Sequence, residues 1–422
     1  MRLSFNIFVP HCSDLLTDHL PHGDGLVAHG FITSLARRGH RLHVAAQKVD
    51  LREPLPANVT VHEILPRTSA PLLSRLDYML RVRLLLGRLN KEHRFDLVHQ
   101  LNPVFAGMSL SLAGSGLPLV LGTYVARWPD DPETSSSKGK RFTQLLTHVR
   151  NVICDVQQRQ ADALLLTTPA ARNRLPRPQA VDDRIHVLPH GLDTKLFSPA
   201  EDWDSSGRLQ SEQQNPSILF FANVWRRKGI YTLIEAFRSV AREFPACVLR
   251  IAGDGPEFAE VKRRVAEMSF AAQVEFLGRQ GRAEAPDLYR SCSIYCLPSH
   301  GEPYGMTAIE AMSCARALVV TDAGGLRYLV HEGGGKKVPV ADAPSLAKAL
   351  CELLRNPAER RAMGHYNRQL VETTMSWDRV ASQLEDIYEK TLQRVSPTRY
   401  AHRRGEVARH ERASTAEAGE RA

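Results

Sequence analysis

SILFFANVWRRKGIYTLIEAFRSVAREFPACVLRIAGDGPE, residues 217–257, is the stretch on which the fold turns. An apolar run, SILFFANV, gives way to a basic loop. YTLIEAFRSVAREF then carries apolar residues at helical spacing, and CVLRIAGDG closes the unit with a second apolar run. Strand, helix and strand in that order are the repeating unit of a parallel sheet, whose neighbouring strands need a crossover helix. Downstream the alternation continues through PEFAEVKRRVAEM, QVEFLG, APDLYRSC, SIYCLPS, GMTAIEAM, ALVVTD and SLAKALCELLRN, so one doubly wound domain is expected over 217–375.

The same rhythm runs upstream. LSFNIFV, GLVAHGFITSLARRGH and RLHVAA read as strand, helix and strand, with Leu26, Val27, Phe31, Ile32 and Leu35 at helical spacing and Gly39 as the stop. DLVHQL, LPLVLGTY and the long GKRFTQLLTHVRNVICDVQQRQADALLL extend a first domain over 1–197. Between the two, SPAEDWDSSGRLQSEQQNP (198–216) is polar and aperiodic and is read as a linker. A helical pattern at 376–396 is placed as a cap that can cross back to the first domain, and the charged, small-residue tail 397–422 is expected to be disordered. The fold class is thus α/β, with two Rossmann-like doubly wound domains facing a central cleft, and ligands in such sheets bind beyond the carboxyl ends of the strands.

Composition bounds the function. At 422 residues, 43% hydrophobic and 24% charged, the chain reads as an ordinary globular protein with room for two cores. Seven scattered cysteines without paired metal spacing are read as buried thiols. The N-terminus begins like a first strand and lacks the long apolar core of a signal peptide, so a cytoplasmic place is expected. No uninterrupted apolar run reaches the roughly 20 residues that span a bilayer. PLLSRLDYMLRVRLLLGRLN (71–90) is broken by Arg75, Arg81, Arg83 and Arg88. It reads either as a core-packed helix or as one lying at the inner face of an anionic membrane. The net charge of +9 favours anionic partners, among which nucleic acid is excluded for want of a zinc-finger spacing, an aromatic RNA-binding signature or a long basic stripe.

Three segments carry candidate chemistry. HGEPYGMTAIE (300–310) sets Glu302 and Glu310 on either side of a helix start. Carboxyl pairs that share one glycosidic bond stand about 5–9.5 Å apart. Here the rise of the helix plus the preceding turn puts the two backbones on the order of 10 Å apart, which suits the two ends of an elongated ligand better. The Tyr304, Gly305, Met306 and Thr307 backbone would offer free N–H groups to an anion; ordinary solvated charge is the alternative for both glutamates. Arg226, Arg227 and Lys228 lie between a strand and a helix, where they clamp a diphosphate or merely decorate a turn. Gly23 and Gly25 precede a helix, a weaker sign of close phosphate approach.

Taken in order, these segments resemble the retaining family 4 glycosyltransferases of the GT-B fold. The resemblance is carried by HVLPHGLDTKLFSP, RRKG, IAGDGPE, VEFLG, LYRSCSIYCLPSHGEPYGMTAIEAM, VVTDAGG and SWDRVASQLEDIY, and more loosely by PHGDG, FDLVHQLNP and ADALLLTT. It implies a nucleotide-diphosphate sugar as co-substrate, held mainly by the C-terminal domain, with no metal and no other cofactor. By position, Glu302 would bind the transferred sugar, Glu310 the ribose, and the Tyr304 to Thr307 backbone the sugar and phosphate. Lys228 with Arg226 and Arg227 would stabilise the leaving diphosphate, and Gly23 would face it from the other domain. The chain departs from the pattern in several places. Asn223 stands where an arginine is frequent, Tyr124 where an acceptor-side histidine is common, and His22 where the first of a glycine pair is usual. Ala315-Arg316-Ala317 stand where a glycine usually follows the small residues, and Tyr328 replaces a frequent glutamate. The expected acceptor is a hydroxyl of a sugar, a lipid-linked sugar or glycolipid in envelope synthesis. A small hydrophilic acceptor in secondary metabolism, or a noncatalytic nucleotide-sugar-binding protein, are the alternatives.

Overall fold

The computed structural model describes residues 4–20, 23–128, 140–398 and 401; His22 and nearly all of the tail expected to be disordered lie outside the described residues. The first sheet is parallel throughout. It takes β1 (Asn6–Val9), β2 (Arg41–Ala46), β3 (Val59–Glu63), β4 (Leu97–Gln100), β5 (Leu119–Tyr124), β6 (Ala163–Leu166) and β7 (Ile185–Val187) in the spatial order β3-β2-β1-β4-β5-β6-β7. The second sheet repeats that plan with β8 (Ser217–Phe221), β9 (Val248–Ala252), β10 (Val274–Gly278), β11 (Ile294–Leu297), β12 (Ala317–Thr321) and β13 (Gly335–Val338) in the order β10-β9-β8-β11-β12-β13. In each sheet the winding reverses beside the first strand, where β1 pairs with β4 and β8 with β11, and a crevice opens at that switch point. Every residue of β6, β11 and β12 is buried. Burial on both faces is why these strands read as unbroken apolar runs rather than alternating ones.

The helices that matter for the site are α1 (Gly23–Arg37), α2 (Pro71–His93), α3 (Lys140–Gln160), α4 (Ser206–Gln214), α5 (Ile230–Glu243), α6 (Ala285–Ser291), α7 (Met306–Ser313) and α8 (Trp377–Val395). α5 shows the rule most clearly. Ile230, Leu233, Ile234, Phe237, Val240 and Ala241 recur every third or fourth residue, and that stripe is buried in the core of the second domain.

The segment 198–216 is not the aperiodic linker its composition suggests. It contains α4, buries Trp203, and sends Glu212 to Arg316, 3.1 Å away and nearly fully buried. Arg316 also donates to the Cys314 and Cys292 carbonyls. Trp203 and ion pairs such as Glu212–Arg316 and Asp204–Arg361 tie the segment down rather than an apolar stripe along the helix, so no apolar period was available to read.

α8 begins in the second domain and packs on the first. Val380, Ala381, Leu384, Ile387, Tyr388 and Leu392 join the core that holds Phe31, Ile32 and Leu35 of α1. Arg38 and His40 both reach Glu385, at 2.7 and 2.9 Å. The chain therefore crosses between the domains twice, and the crossings are joined. Leu192 N donates to the Met375 carbonyl at 2.8 Å, and Trp377 N to the Leu192 carbonyl at 3.3 Å. The Trp377 indole lies where a Cβ on Gly30 or Gly191 would sit, so both positions require glycine.

Candidate functional site

The loop after β8 is stapled in place by backbone. Val224 N donates to the Asp254 carbonyl at 2.9 Å and Glu257 N to the Val224 carbonyl at 3.3 Å, while the Arg227 carbonyl accepts from His300 N at 2.8 Å and Ser299 Oγ at 3.1 Å. Gly229 makes this possible: its φ is 78°, and a Cβ there would run into the Pro298 carbonyl. The two loops meet at one pair of charges. Lys228 Nζ lies 2.6 Å from Glu302 Oε2, and Glu302 is only 8% exposed. The Glu302 carbonyl in turn accepts from Gly325 N at 2.6 Å, in the VVTDAGG turn.

Arg227 is held between two aromatic faces, its guanidinium 3.9 Å from the Trp225 ring and 4.3 Å from that of Trp128. Trp128 also covers Lys228 at 5.0 Å. It reaches this position from the first domain, on the loop after β5, so the cations are covered from across the cleft. Arg226 does not join them. Its guanidinium lies over Tyr231 at 5.1 Å, a ring shared with Arg264, because the 3-10 turn Arg226–Lys228 sends successive side chains in different directions. Asn223 is exposed, and its carbonyl accepts from Trp225 N at 2.9 Å.

Gly305, with φ of 111°, precedes the first turn of α7. Tyr295 hydroxyl donates to Thr307 Oγ1 at 2.7 Å. Met306 is half-buried. The Tyr304 phenol bridges the domains: its oxygen accepts from His190 N at 2.8 Å, and the rings meet edge to face at 4.8 Å. Glu310 occupies a different environment from Glu302. It is half-buried, the Tyr289 hydroxyl of α6 donates to Oε2 at 2.8 Å, and burial pushes its carboxyl up to about 7.

On the first domain, Gly23 opens α1 with nothing within 4 Å of the place a Cβ would take. A small cavity of about 60 Å³ lies beyond the ends of β1, β4 and β5, lined by Cys12, Asp24, Asn102, Thr123, Val125 and His190 among others. Thr123 Oγ1 and His190 Nε2 are 2.6 Å apart, and burial holds the imidazole near about 3, hence neutral. The expectation for Tyr124 is corrected here. It is 4% exposed and belongs to the core under the sheet, and burial pushes its phenol up. Its neighbour Thr123 faces the cavity, since successive side chains of a strand point to opposite faces. The phase was not readable because the β5–β6 register shifts between Leu121 and Tyr124. The sequence reading also passed over Trp128, His190 and Tyr289. Only Trp128 carried a signal, a lone indole on a loop at the carboxyl edge of a strand. Among the described residues no group of three or more histidine, cysteine or carboxylate side chains is placed to hold a metal ion.

Two parallel sheets wound alike and facing each other are the GT-B architecture of glycosyltransferases. The first half of the chain, residues 23–196, matches the profile described as Glycosyltransferase Family 4, and residues 201–370 match Glycosyl transferases group 1. The chain belongs to the family 4 glycosyltransferases. It is 29% identical to alpha-maltose-1-phosphate synthase of Mycobacterium tuberculosis over 54% of this chain and 63% of that protein, so it spans less than two thirds of that relative's length. Over 81% of both chains it is 27% identical to the MMP alpha-(1->4)-mannosyltransferase of Mycolicibacterium hassiacum. A third relative is the GDP-mannose-dependent monoacylated alpha-(1-6)-phosphatidylinositol monomannoside mannosyltransferase of Corynebacterium glutamicum, 30% identical over 47% of this chain and 55% of that one. Among solved structures, Anabaena HepE in complex with UDP superposes with a TM-score of 0.69 at 18% identity, covering 90% of this chain and 98% of its own.

Proposed function

We propose that the protein is a retaining, metal-independent glycosyltransferase that moves a sugar from a nucleotide-diphosphate sugar to a hydroxyl acceptor in envelope polysaccharide or glycolipid synthesis. The observation that carries the reading is the Lys228–Glu302 pair, 2.6 Å apart beside Arg227 in the cleft. In the reaction the bond from the anomeric carbon to the β-phosphate oxygen breaks, and the acceptor oxygen bonds the same carbon. The acceptor proton passes to the departing phosphate oxygen on that same face. The positive charge that such a leaving group needs would come from Lys228 and Arg227, with the N–H groups at the start of α7 toward the phosphates. Glu302 then exchanges its lysine partner for hydroxyls of the sugar, and Glu310 takes the ribose hydroxyls. The donor class is supported by the UDP held by the Anabaena structure, and the glycolipid setting by the phosphatidylinositol monomannoside mannosyltransferase of Corynebacterium.

The test is a panel of UDP-, GDP- and ADP-sugars in which release of nucleoside diphosphate is followed with and without acceptor, and the product anomer is read by NMR. Lys228→Ala is expected to lower kcat about 10²–10³-fold, the scale for removing one donor to a developing oxyanion, measured at a temperature well below its thermal midpoint, which should itself fall because buried Glu302 loses its partner. Binding of a donor that is neither transferred nor hydrolysed would instead mark a noncatalytic sugar-nucleotide binder, and an inverted anomer would remove the same-face mechanism.

A further inference from the structure

α2 has two apolar faces, and the fold uses one of them. Tyr78, Val82, Leu86 and Leu89 are buried against the first sheet. On the opposite face Leu72, Leu76, Leu80 and Leu84 repeat every fourth residue with Leu73 beside them, and all five are 52–70% exposed. The row runs about 18 Å along the helix at about 1.5 Å per residue. Neighbouring α3 adds exposed Val149, Val152 and Val156. It lies close by, since its Ile153 and Met79 of α2 both approach Gly107.

The rim of this face is basic. α2 carries Arg75, Arg81, Arg83, Arg88 and Lys91 against only Asp77 and Glu92, and both acids are already paired, Asp77 with Arg81 at 3.4 Å and Glu92 with His93 at 3.8 Å. Arg83 is pinned at the rim by the Ser111 and Ala113 carbonyls. A second copy of the chain would bring the same cations face to face, so self-association is opposed by charge. A surface that takes leucines into an apolar layer and meets arginines with anions is a bilayer containing acidic lipid. No helix among the described residues is long and apolar enough to cross a membrane, which leaves lying on it.

The position of the face is informative too. The Tyr78 hydroxyl donates to the Pro10 carbonyl at 3.0 Å, and Arg75 lies over Phe105 at 4.7 Å. The start of α2 is thereby fixed to the two loops, after β1 and β4, whose Cys12 and Asn102 line the cavity with Thr123 and His190. We propose that the leucine face of α2 docks the protein on an acidic bilayer and holds the mouth of that cavity at the membrane surface, where an acceptor with a lipid anchor is presented. The inference concerns a surface outside the donor site and goes beyond the transferase reading.

The experiment is co-sedimentation of the full chain with vesicles of phosphatidylcholine containing about a third phosphatidylglycerol, against phosphatidylcholine alone, at low and high salt. The expected result is binding to the acidic vesicles, weakened by salt. Leu76→Glu with Leu80→Glu should reduce it at least about tenfold, and Val340→Glu on the other domain should leave it unchanged. Leu80→Ser, which adds no charge, should give an intermediate loss. Equal binding of the double variant, equal partition to neutral vesicles, or a wild-type dimer that the double variant splits would each overturn the proposal. Donor hydrolysis in solution is read on the same samples and should be unaffected by the double variant; its absence from the wild type would count against the transferase reading, not against docking.

Discussion

Ala315 has a φ of 56°, in the left-handed region, at the end of α7 where the chain turns into β12. A side chain there costs about 1–2 kcal/mol, and the extra freedom a glycine has when unfolded returns about 0.4–1 kcal/mol of that. Ala315→Gly should therefore raise stability by about 0.5–1 kcal/mol, read as a higher denaturant midpoint at unchanged slope; a lower midpoint would show that the Ala315 methyl contributes more through packing than its conformation costs. The same residue shows how the sequence is read at this scale. A departure from a family pattern at Ala315-Arg316-Ala317 was visible in the letters. Its meaning, one strained alanine followed by one arginine buried on Glu212 and two carbonyls, depends on partners far away in the chain. Lys228 and Glu302 were legible as candidates because each lies in a loop at a strand's carboxyl edge. Their direct contact was not, since it follows from Gly229 letting one loop close on the other.

At the scale of elements, His99 joins three of them. Its Nε2 meets the Gly122 carbonyl at 2.8 Å, so that nitrogen must carry the hydrogen, and Nδ1 accepts from the Tyr388 hydroxyl of α8 at 2.6 Å. Burial lowers the imidazole from 6.5 to about 4. The unfolded chain takes up a proton near pH 6.5 and the folded protein only near 4, so this contribution is whole above the first value and is lost as pH falls toward the second. The thermal midpoint should fall between pH 7 and pH 5, and His99→Gln, which keeps a donor and an acceptor but does not titrate, should make the fall shallower. An equal fall in the variant would assign the acid lability to other groups, such as His43, also lowered to about 4 by burial. Elements buried on both faces, like β6 and β12, were legible as unbroken apolar runs. α4 was not, because it is held by polar contacts that leave no period, and the facing of Tyr124 was not, because an irregular register changes the alternation it would be read from.

For the molecule as a whole, the first domain is discontinuous. α8 supplies Val380, Leu384, Ile387 and Tyr388 to the core beside α1, and Arg38 and His40 find their carboxylate on it. Residues 1–197 produced alone should lack a cooperative unfolding transition and expose the α1 stripe to a dye such as ANS, and adding a peptide of residues 376–396 should restore the transition and suppress the dye binding. A well-folded fragment 1–197 would mean that α8 only decorates a finished core.

The paired crossings at Leu192 and Met375 set an order of assembly during synthesis. The second domain is continuous from β8 to β13 and can close as soon as it has left the ribosome. The first domain, although translated first, waits with the groove between Gly30 and Gly191 open until Trp377 and the helix behind it emerge. The domain synthesised first is thus completed last, since its apolar groove has no cover from α8 until nearly two hundred further residues have been made.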